Sequence, residues 1–413
     1  MFNSKEEALN WLFIQKKLTK RENLERITKC ASLLDLKFNY KIIHIAGTNG
    51  KGSCATMIKN ILKRKYKVGL FISPFIISFN ERIEINDDYI SDKDILKYTN
   101  YLYDFSNYYK EKYNDIIPFF ELTLLMALLF FNEQKIDYAV IECGLGGKLD
   151  STNFLPSDLS IITNVGYDHM AQLGNTLEEI ANHKMGIIKE NTIALTAVDK
   201  SLLNQFINYA NENNSNLIWV NDKISDITVS NYTSFKYNGQ DYKTNLLGDY
   251  QAYNASLVIE TIKQLDENFT LYEINDSLMH TFHPGRLEKI CDNPLFFIDG
   301  AHNVDAISAL ISFLKYYNNK KIHILFTALH DKAYKEMISL LDTVSSDYIF
   351  TTINDKRKTE STDFIGLTKK PYQIIDDYKL ALDLLLSNKD ENDLCIATGS
   401  LHFISEIRKY VKK

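Results

Sequence analysis

The chain has 413 residues, more than one ordinary core holds at about 150 residues per domain, so two or three domains are expected. Lys and Arg number 47 against 53 Asp and Glu, and the resulting net charge of −6 argues against bulk affinity for nucleic acid. A hydrophobic share of 45% beside 24% charged residues is that of a globular chain and argues against disorder.

The first residues, MFNSKEEALNWLF, are amphipathic and carry acids at once, which is unlike a secretory signal; Trp11 and Phe13 read as packing residues of an N-terminal helix. Strands follow at 42–46 (IIHIA), 68–72 (VGLFI), 138–142 (YAVIE) and 159–163 (LSIIT), with helices at 54–64 and 121–133 among them. Continuous apolar strands separated by helices predict a parallel sheet covered on both faces. The apolar stretch 122–131 is about half a membrane span, so a soluble, cytoplasmic protein with no membrane partner is expected. Cys30, Cys54, Cys143, Cys291 and Cys395 are scattered and never form a CxxC pair, which fits a reducing compartment and argues against disulfides or zinc. Cys54 and Cys143 have no base nearby in sequence and read as small buried hydrophobes.

Beyond residue 190 the pattern becomes irregular, with Asn-rich connections around 211–216 and 231–239. A second α/β series begins near 295. It has strands at 295–300, 323–329, 347–352 and 394–400, helices after Asn303, near 334–342 and near 378–387, and a closing helix to Lys413. The segment from His283 to Pro294 holds two of the six prolines and marks the boundary, giving domains of 1–290 and 291–413.

Glycine is scarce, at 16 residues, yet three of them fall in Gly47-Thr48-Asn49-Gly50-Lys51-Gly52-Ser53, after a strand and before a helix. That is the context of a phosphate-binding loop: glycines let backbone N–H groups approach phosphate oxygens, and a helix N-terminus favours the anion. Lys51 can neutralise β/γ-phosphate charge and Ser53 can offer a hydroxyl to Mg²⁺. Gly52 stands between Lys51 and Ser53, so the run departs from the common G-x-x-x-x-G-K-[ST]. The expected fold is α/β, with a P-loop-type mostly parallel sheet in an N-terminal ATPase domain and a smaller Rossmann-like α/β C-terminal domain.

GTNGKGS resembles the nucleotide loop of the Mur-type ligases, and specifically that of the folylpolyglutamate synthase/dihydrofolate synthase family. The resemblance continues in order through SPFIISFNERI (73–83), ECGLGGKLDSTN (142–153), GYDHMAQLGNTLEEIANHKMGIIK (166–189), GDYQAYNA (248–255), HPGRLE (283–288), DGAHN (299–303), LHDK (329–332) and TGSLHFISEIR (398–408). It implies an ATP-dependent amide ligase that adds L-glutamate to tetrahydrofolate, to dihydropteroate or to both, through an acyl phosphate, with ATP and Mg²⁺ as cofactors and a monomer as the working form.

The resemblance also implies roles for particular residues. Ser73, Glu142 and His169 would hold Mg²⁺, with Ser53 near the phosphates; all three lie at or just after the ends of predicted strands, where an open parallel sheet binds ligands. Gly47, Thr48, Asn49, Gly50, Lys51, Gly52 and Ser53 would cradle the phosphates, Asn254 would meet the adenine region, and Arg286, Asp299 and His302 would reach the nucleotide. Lys51, Lys184, His169 and Arg286 would carry the chemistry. Lys184 matches a lysine that relatives carbamylate, although this chain reads His183-Lys184-Met185-Gly186 where the family has Glu-Lys-Ala-Gly. Phe120, Glu121, Leu149, Asp150 and Ser151 would line the acceptor pocket. Two further departures fall on the substrate side: Arg21-Glu22-Asn23 where relatives have Asp-Leu-Gly, and Phe75 where many have His. Two other readings stand beside this one. Another Mur-type amino-acid ligase is disfavoured by a loop that begins about 46 residues in, leaving no room for a UDP-binding domain. A regulatory ATPase that ligates nothing is disfavoured by the acceptor-side and DGAHN segments.

Overall fold

The computed structural model describes residues 1–16, 23–266, 268–387 and 389–412. Arg21 and Glu22 of the departing N-terminal segment, and Lys413, to which the closing helix is expected to run, lie outside the described residues. Contacts divide the chain into two compact units, Met1–Asp222 with Asn254–Ser277, and Lys223–Tyr253 with Leu278–Lys413.

The first unit is built on an eight-stranded sheet of β1 (Lys41–Ala46), β2 (Val68–Phe71), β3 (Ile83–Ile85), β4 (Asp88–Tyr89), β5 (Tyr138–Glu142), β6 (Leu159–Ile162), β7 (Ile193–Thr196) and β8 (Asn216–Trp219), in the order β4-β3-β2-β5-β1-β6-β7-β8. The six strands from β2 to β8 in that order run parallel, and β3 and β4 extend one edge antiparallel. The chain builds one side of β1 first and the other side from β6 onward. The strand order therefore reverses at β1, which is where an open sheet forms a ligand crevice at its carboxyl edge. The helix Phe119–Gln134 is apolar almost all round and is accordingly a core element, packed with β2, β5 and the N-terminal helices.

The second unit holds two sheets. An antiparallel sheet of β9 (Ile224–Val229), β10 (Thr233–Tyr237) and β11 (Gln240–Thr244) occupies the region whose sequence reads as irregular. A six-stranded sheet of β12 (Glu288–Asp292), β13 (Leu295–Ile298), β14 (Lys321–Phe326), β15 (Asp347–Phe350), β16 (Tyr372–Ile374) and β17 (Asp393–Thr398) runs in the order β12-β13-β17-β14-β15-β16, all parallel except β12. The contact units differ from a single division after residue 290. Residues 223–253 belong with the C-terminal residues because Val229 and Leu247 share one apolar core with Leu287, Phe297, Phe313 and Phe326. Among the described residues no helix is long and apolar enough to cross a membrane.

Candidate nucleotide and acceptor site

The phosphate loop leaves β1 and enters the helix Lys51–Leu62, so Lys51 and Ser53 stand on that helix's first turn. Gly50 caps it at φ +86°, a left-handed conformation that a side chain resists, and a Cβ there would lie 2.5 Å from Asn254 Oδ1. A Cβ on Gly47 would lie 1.8 Å from Thr163 Oγ1. The segment after β6 braces the loop. Thr163 Oγ1 donates to Asn49 O at 2.6 Å, Asn49 N donates to Asn164 Oδ1 at 2.9 Å, and Thr48 N donates to Asn164 O at 3.1 Å. Lys51 Nζ folds back to donate to the carbonyls of Gly47 (3.0 Å) and Thr48 (3.2 Å). Gly52 and Ser53 follow at the helix N-terminus, Ser53 being buried.

Three predicted metal residues sit on the segments that end β2, β5 and β6. Glu142 is the last residue of β5 and is buried; its Oε2 accepts from Ser73 N at 2.9 Å, so these two residues, far apart in sequence, meet directly. His169 stands seven residues beyond β6 at φ +51°, half exposed, with Nε2 3.9 Å from Asp168 Oδ2. Among the described residues no three His, Cys, Asp or Glu side chains gather as a metal cage. The meeting of Ser73 with one buried carboxylate, Glu142, is a sparse oxygen set that fits Mg²⁺, which completes its shell with water and phosphate oxygens, while His169 would offer a nitrogen.

Lys184, on the helix Leu177–Met185, is buried rather than on the helix surface. Burial, and then repulsion from Lys51, lower its pKa to about 7, against the opposing pull of Cys143 and Asp168. An amine near neutrality at pH 7 is the form that can take up CO₂.

On the acceptor side, Phe120 packs edge-on against Phe71 at 5.8 Å, and Leu149 is half-buried. Glu121 is buried and held bidentately by Arg26, Nε to Oε2 at 2.8 Å and Nη2 to Oε1 at 3.0 Å, while Ser151 Oγ donates to Oε1 at 3.0 Å. The Asp150 carboxylate is committed to its own loop, accepting from Leu145 N (2.8 Å), Thr152 N (3.0 Å) and Thr152 Oγ1 (2.6 Å). Sequence reasoning missed Arg26, which no motif marks and which lies 95 residues from its partner. It also missed a base near Cys143. His44 Nε2 lies 3.0 Å from Cys143 Sγ and 2.7 Å from Thr152 Oγ1, although burial holds His44 down to about 3 and pushes the thiol up, so both stay neutral.

Asn254 is in the first unit, against Gly50, and its carbonyl accepts from the buried Cys54 thiol at 3.6 Å. Arg286, Asp299 and His302 are in the second unit. Asp299, just beyond β13, is buried; burial pushes its pKa up, opposed by hydrogen bonds from Leu287 N (2.8 Å) and Ala301 N (2.9 Å) and by Arg286. His302 Nδ1 lies 2.8 Å from Gly300 O, and a Cβ on Gly300 would lie 3.2 Å from Arg286 Nη1, so these three predicted residues share one corner of that unit.

A phosphate loop at the switch point of a mostly parallel sheet, followed by a second parallel α/β sheet, defines a nucleotide-dependent two-domain enzyme of the Mur ligase class. Residues 45–262 match the Mur ligase middle domain and residues 285–401 the Mur ligase, glutamate ligase domain. The dihydrofolate synthase/folylpolyglutamate synthase of Bacillus subtilis is 33% identical over 435 residues, covering 100% of both chains. A solved FPGS–AMPPCP–folate complex superposes with a TM-score of 0.87 at 28% identity, covering 99% of this chain and 100% of the other. The bifunctional folylpolyglutamate synthase/dihydrofolate synthase of Yersinia pestis, solved with AMPPNP and Mn ion, has the same fold, with a TM-score of 0.89 at 22% identity over 100% of this chain and 98% of that one. The chain belongs to the folylpolyglutamate synthase/dihydrofolate synthase family of ATP-dependent Mur ligases.

Proposed function

We propose that this ligase joins L-glutamate through an amide bond to the carboxylate of tetrahydrofolate, of dihydropteroate or of both, with ATP and Mg²⁺. The observation that carries this reading is the gathering, in the first unit, of a braced phosphate loop, a buried Glu142 held by Ser73, and a Glu121–Ser151 wall. An acceptor carboxylate oxygen attacks the γ-phosphorus as the bond to the bridging oxygen breaks, giving acyl phosphate and ADP. The glutamate amine then attacks the activated carbonyl and phosphate leaves.

Residues 47–53 wrap the phosphates, and Lys51 exchanges its bonds to the loop carbonyls for phosphate oxygens, where charge develops. Ser53, Ser73, Glu142 and His169 would hold Mg²⁺, which when bound would neutralise phosphate charge. Lys184, if carbamylated, would add an oxygen donor, and its burial and pKa of about 7 support that role. Asn254 meets the adenine region; in the second unit, Arg286, whose guanidinium suits bidentate phosphate binding, Asp299 and His302 are assigned to nucleotide contact. Phe120, Glu121, Leu149, Asp150 and Ser151 shape the acceptor pocket. The functional domains divide near residue 290, the protein acts as a monomer on small molecules only, and the five free cysteines accord with a cytoplasmic site.

The test is phosphate release from ATP, with and without L-glutamate, supplied with dihydropteroate or tetrahydrofolate separately, followed by mass spectrometry of the products. Release that needs both the glutamate and an acceptor, with an added glutamyl mass, is expected. Release indifferent to both would leave a non-ligating ATPase, and release that needs an amino acid but neither acceptor would leave another Mur-type ligase.

A further inference from the structure

Arg82 ends the short turn Phe79–Arg82 that leads into β3, and it is 7% exposed. Its guanidinium lies between two aromatic rings, 5.4 Å from the centroid of Phe75 and 5.4 Å from that of Phe119. Its Nε and Nη1 are buried and have no hydrogen-bond partner among the described residues. Cation–π contact offsets part of the cost of burying this charge, but it leaves the N–H donors unspent, and a native fold seldom leaves a buried charge in that condition without a use.

Its neighbours indicate the use. The backbone carbonyl of Arg82 accepts from Ile72 N at 3.0 Å, which ties it to the residue before Ser73. Its charge acts on Glu142, whose carboxylate Ser73 N holds. Phe119 begins the helix that carries Phe120 and Glu121. Arg82 thus lies close to Glu142, on the phosphate side of the first unit, and to Phe119, at the start of the acceptor-side helix. Phe75 is half-buried and packs against Phe13, at 6.4 Å between centroids, on the outer side of Arg82.

We infer that Arg82 receives the carboxylate of the acceptor, donating from its unspent nitrogens, and so restricts the site to acids and presents their oxygen for phosphorylation. A guanidinium is suited to this because its charge persists at any working pH and its planar donors match a carboxylate. The inference rests on the proposed ligase reading.

The experiment compares binding of dihydropteroate with binding of its carboxamide, by fluorescence titration of the full chain, in the natural protein and in Arg82→Met. The natural protein should bind the acid at least tenfold more tightly than the amide. Arg82→Met should bring the two within twofold of each other while leaving the amide's Kd unchanged, a pattern that general loss of structure does not produce. A preference for the acid that survives in Arg82→Met overturns the inference. If the methionine variant does not fold, Arg82→Lys decides: the acid-to-amide ratio should fall at least threefold, and an unchanged ratio overturns the inference. Turnover of tetrahydrofolate or dihydropteroate by the natural protein separates the two failures. Without turnover the ligase reading falls and the inference with it; with turnover and an unchanged ratio only the inference falls.

Discussion

Arg26 clasps Glu121 with two parallel hydrogen bonds of 2.8 and 3.0 Å, across 95 residues of sequence, and so fixes the first turn of a core helix to the N-terminal helices. Glu121 is 2% exposed, and Arg26 and Ser151 are among the groups that pair its carboxylate. Arg26→Met leaves the carboxylate buried without its cation and should cost about 3 kcal/mol of stability. Arg26→Met combined with Glu121→Gln should recover most of that loss. Urea denaturation of Arg26→Met, Glu121→Gln and the double variant checks it, and additive losses would show the pair to be uncoupled.

Lys51 provides the second prediction. Its ammonium bridges two loop carbonyls, and Lys51→Ala removes it without touching the glycines. ATP-dependent ligation should fall at least 10²–10³-fold, the range found when one preorganised charge-stabilising donor is lost. Steady-state turnover with saturating acceptor measures it.

Gly50 provides the third. At φ +86°, with Asn254 Oδ1 2.5 Å from a prospective Cβ, Gly50→Ala must move either the loop or the Asn254 side chain. The Kd for ATP should rise at least tenfold, while circular dichroism shows unchanged helix content. Equilibrium dialysis with labelled nucleotide gives the answer.

Lys184 links the site to pH. Burial and Lys51 lower its pKa from 10.5 to about 7. Between those values the unfolded chain binds a proton that the folded chain refuses, so stability rises with pH across that window and the slope vanishes below it. For this one group the slope is at most about 1.4 kcal/mol per pH unit. In CO₂-free buffer, Lys184→Met should flatten the rise between pH 7.5 and 9.5. Bicarbonate should raise the activity of the natural protein and leave that of Lys184→Met unchanged.

His323 behaves in the opposite sense. Burial alone would lower its pKa, but hydrogen bonds to Asp347 (2.8 Å) and Asp393 (3.0 Å) overcome burial and raise it, although Lys389 Nζ lies 3.2 Å from Nδ1. The stabilisation is therefore complete below pH 6.5, the unfolded value, and is lost as pH rises through the higher folded value. His323→Gln should lower Tm more at pH 6 than at pH 9. Equal shifts at the two pH values would contradict a charged histidine.

The parallel strands were legible because β1, β5 and β6 are continuous apolar runs buried on both faces. The phosphate loop was legible because GTNGKGS is local. The antiparallel sheet of the second unit was not, although its turn is an Asn238-Gly239 pair at φ +51° and +75°, a strong hairpin signal. Its strands, TSFKY and QDYKT, alternate polar residues with few apolar ones, and that polarity hid the buried Phe235, Tyr237 and Tyr242. The helix pattern reads from 54 because Lys51 and Gly52 are poor periodic residues, whereas the left-handed Gly50 starts the helix at Lys51. The burial of Lys184, the Arg26–Glu121 clasp and the aromatic sandwich around Arg82 are tertiary facts, and no spacing within a single chain encodes them.

The interleaving of the two units has a consequence for engineering. The chain passes from one unit to the other at 222/223, 253/254 and 277/278, and the last two crossings fall within the helices Tyr250–Leu265 and Leu271–Met279. A chimera that swaps acceptor preference between relatives through one splice point would therefore sever the apolar core shared by Val229, Leu247 and Phe297. A graft that respects the folding units needs three junctions, and two of them must preserve helical phase.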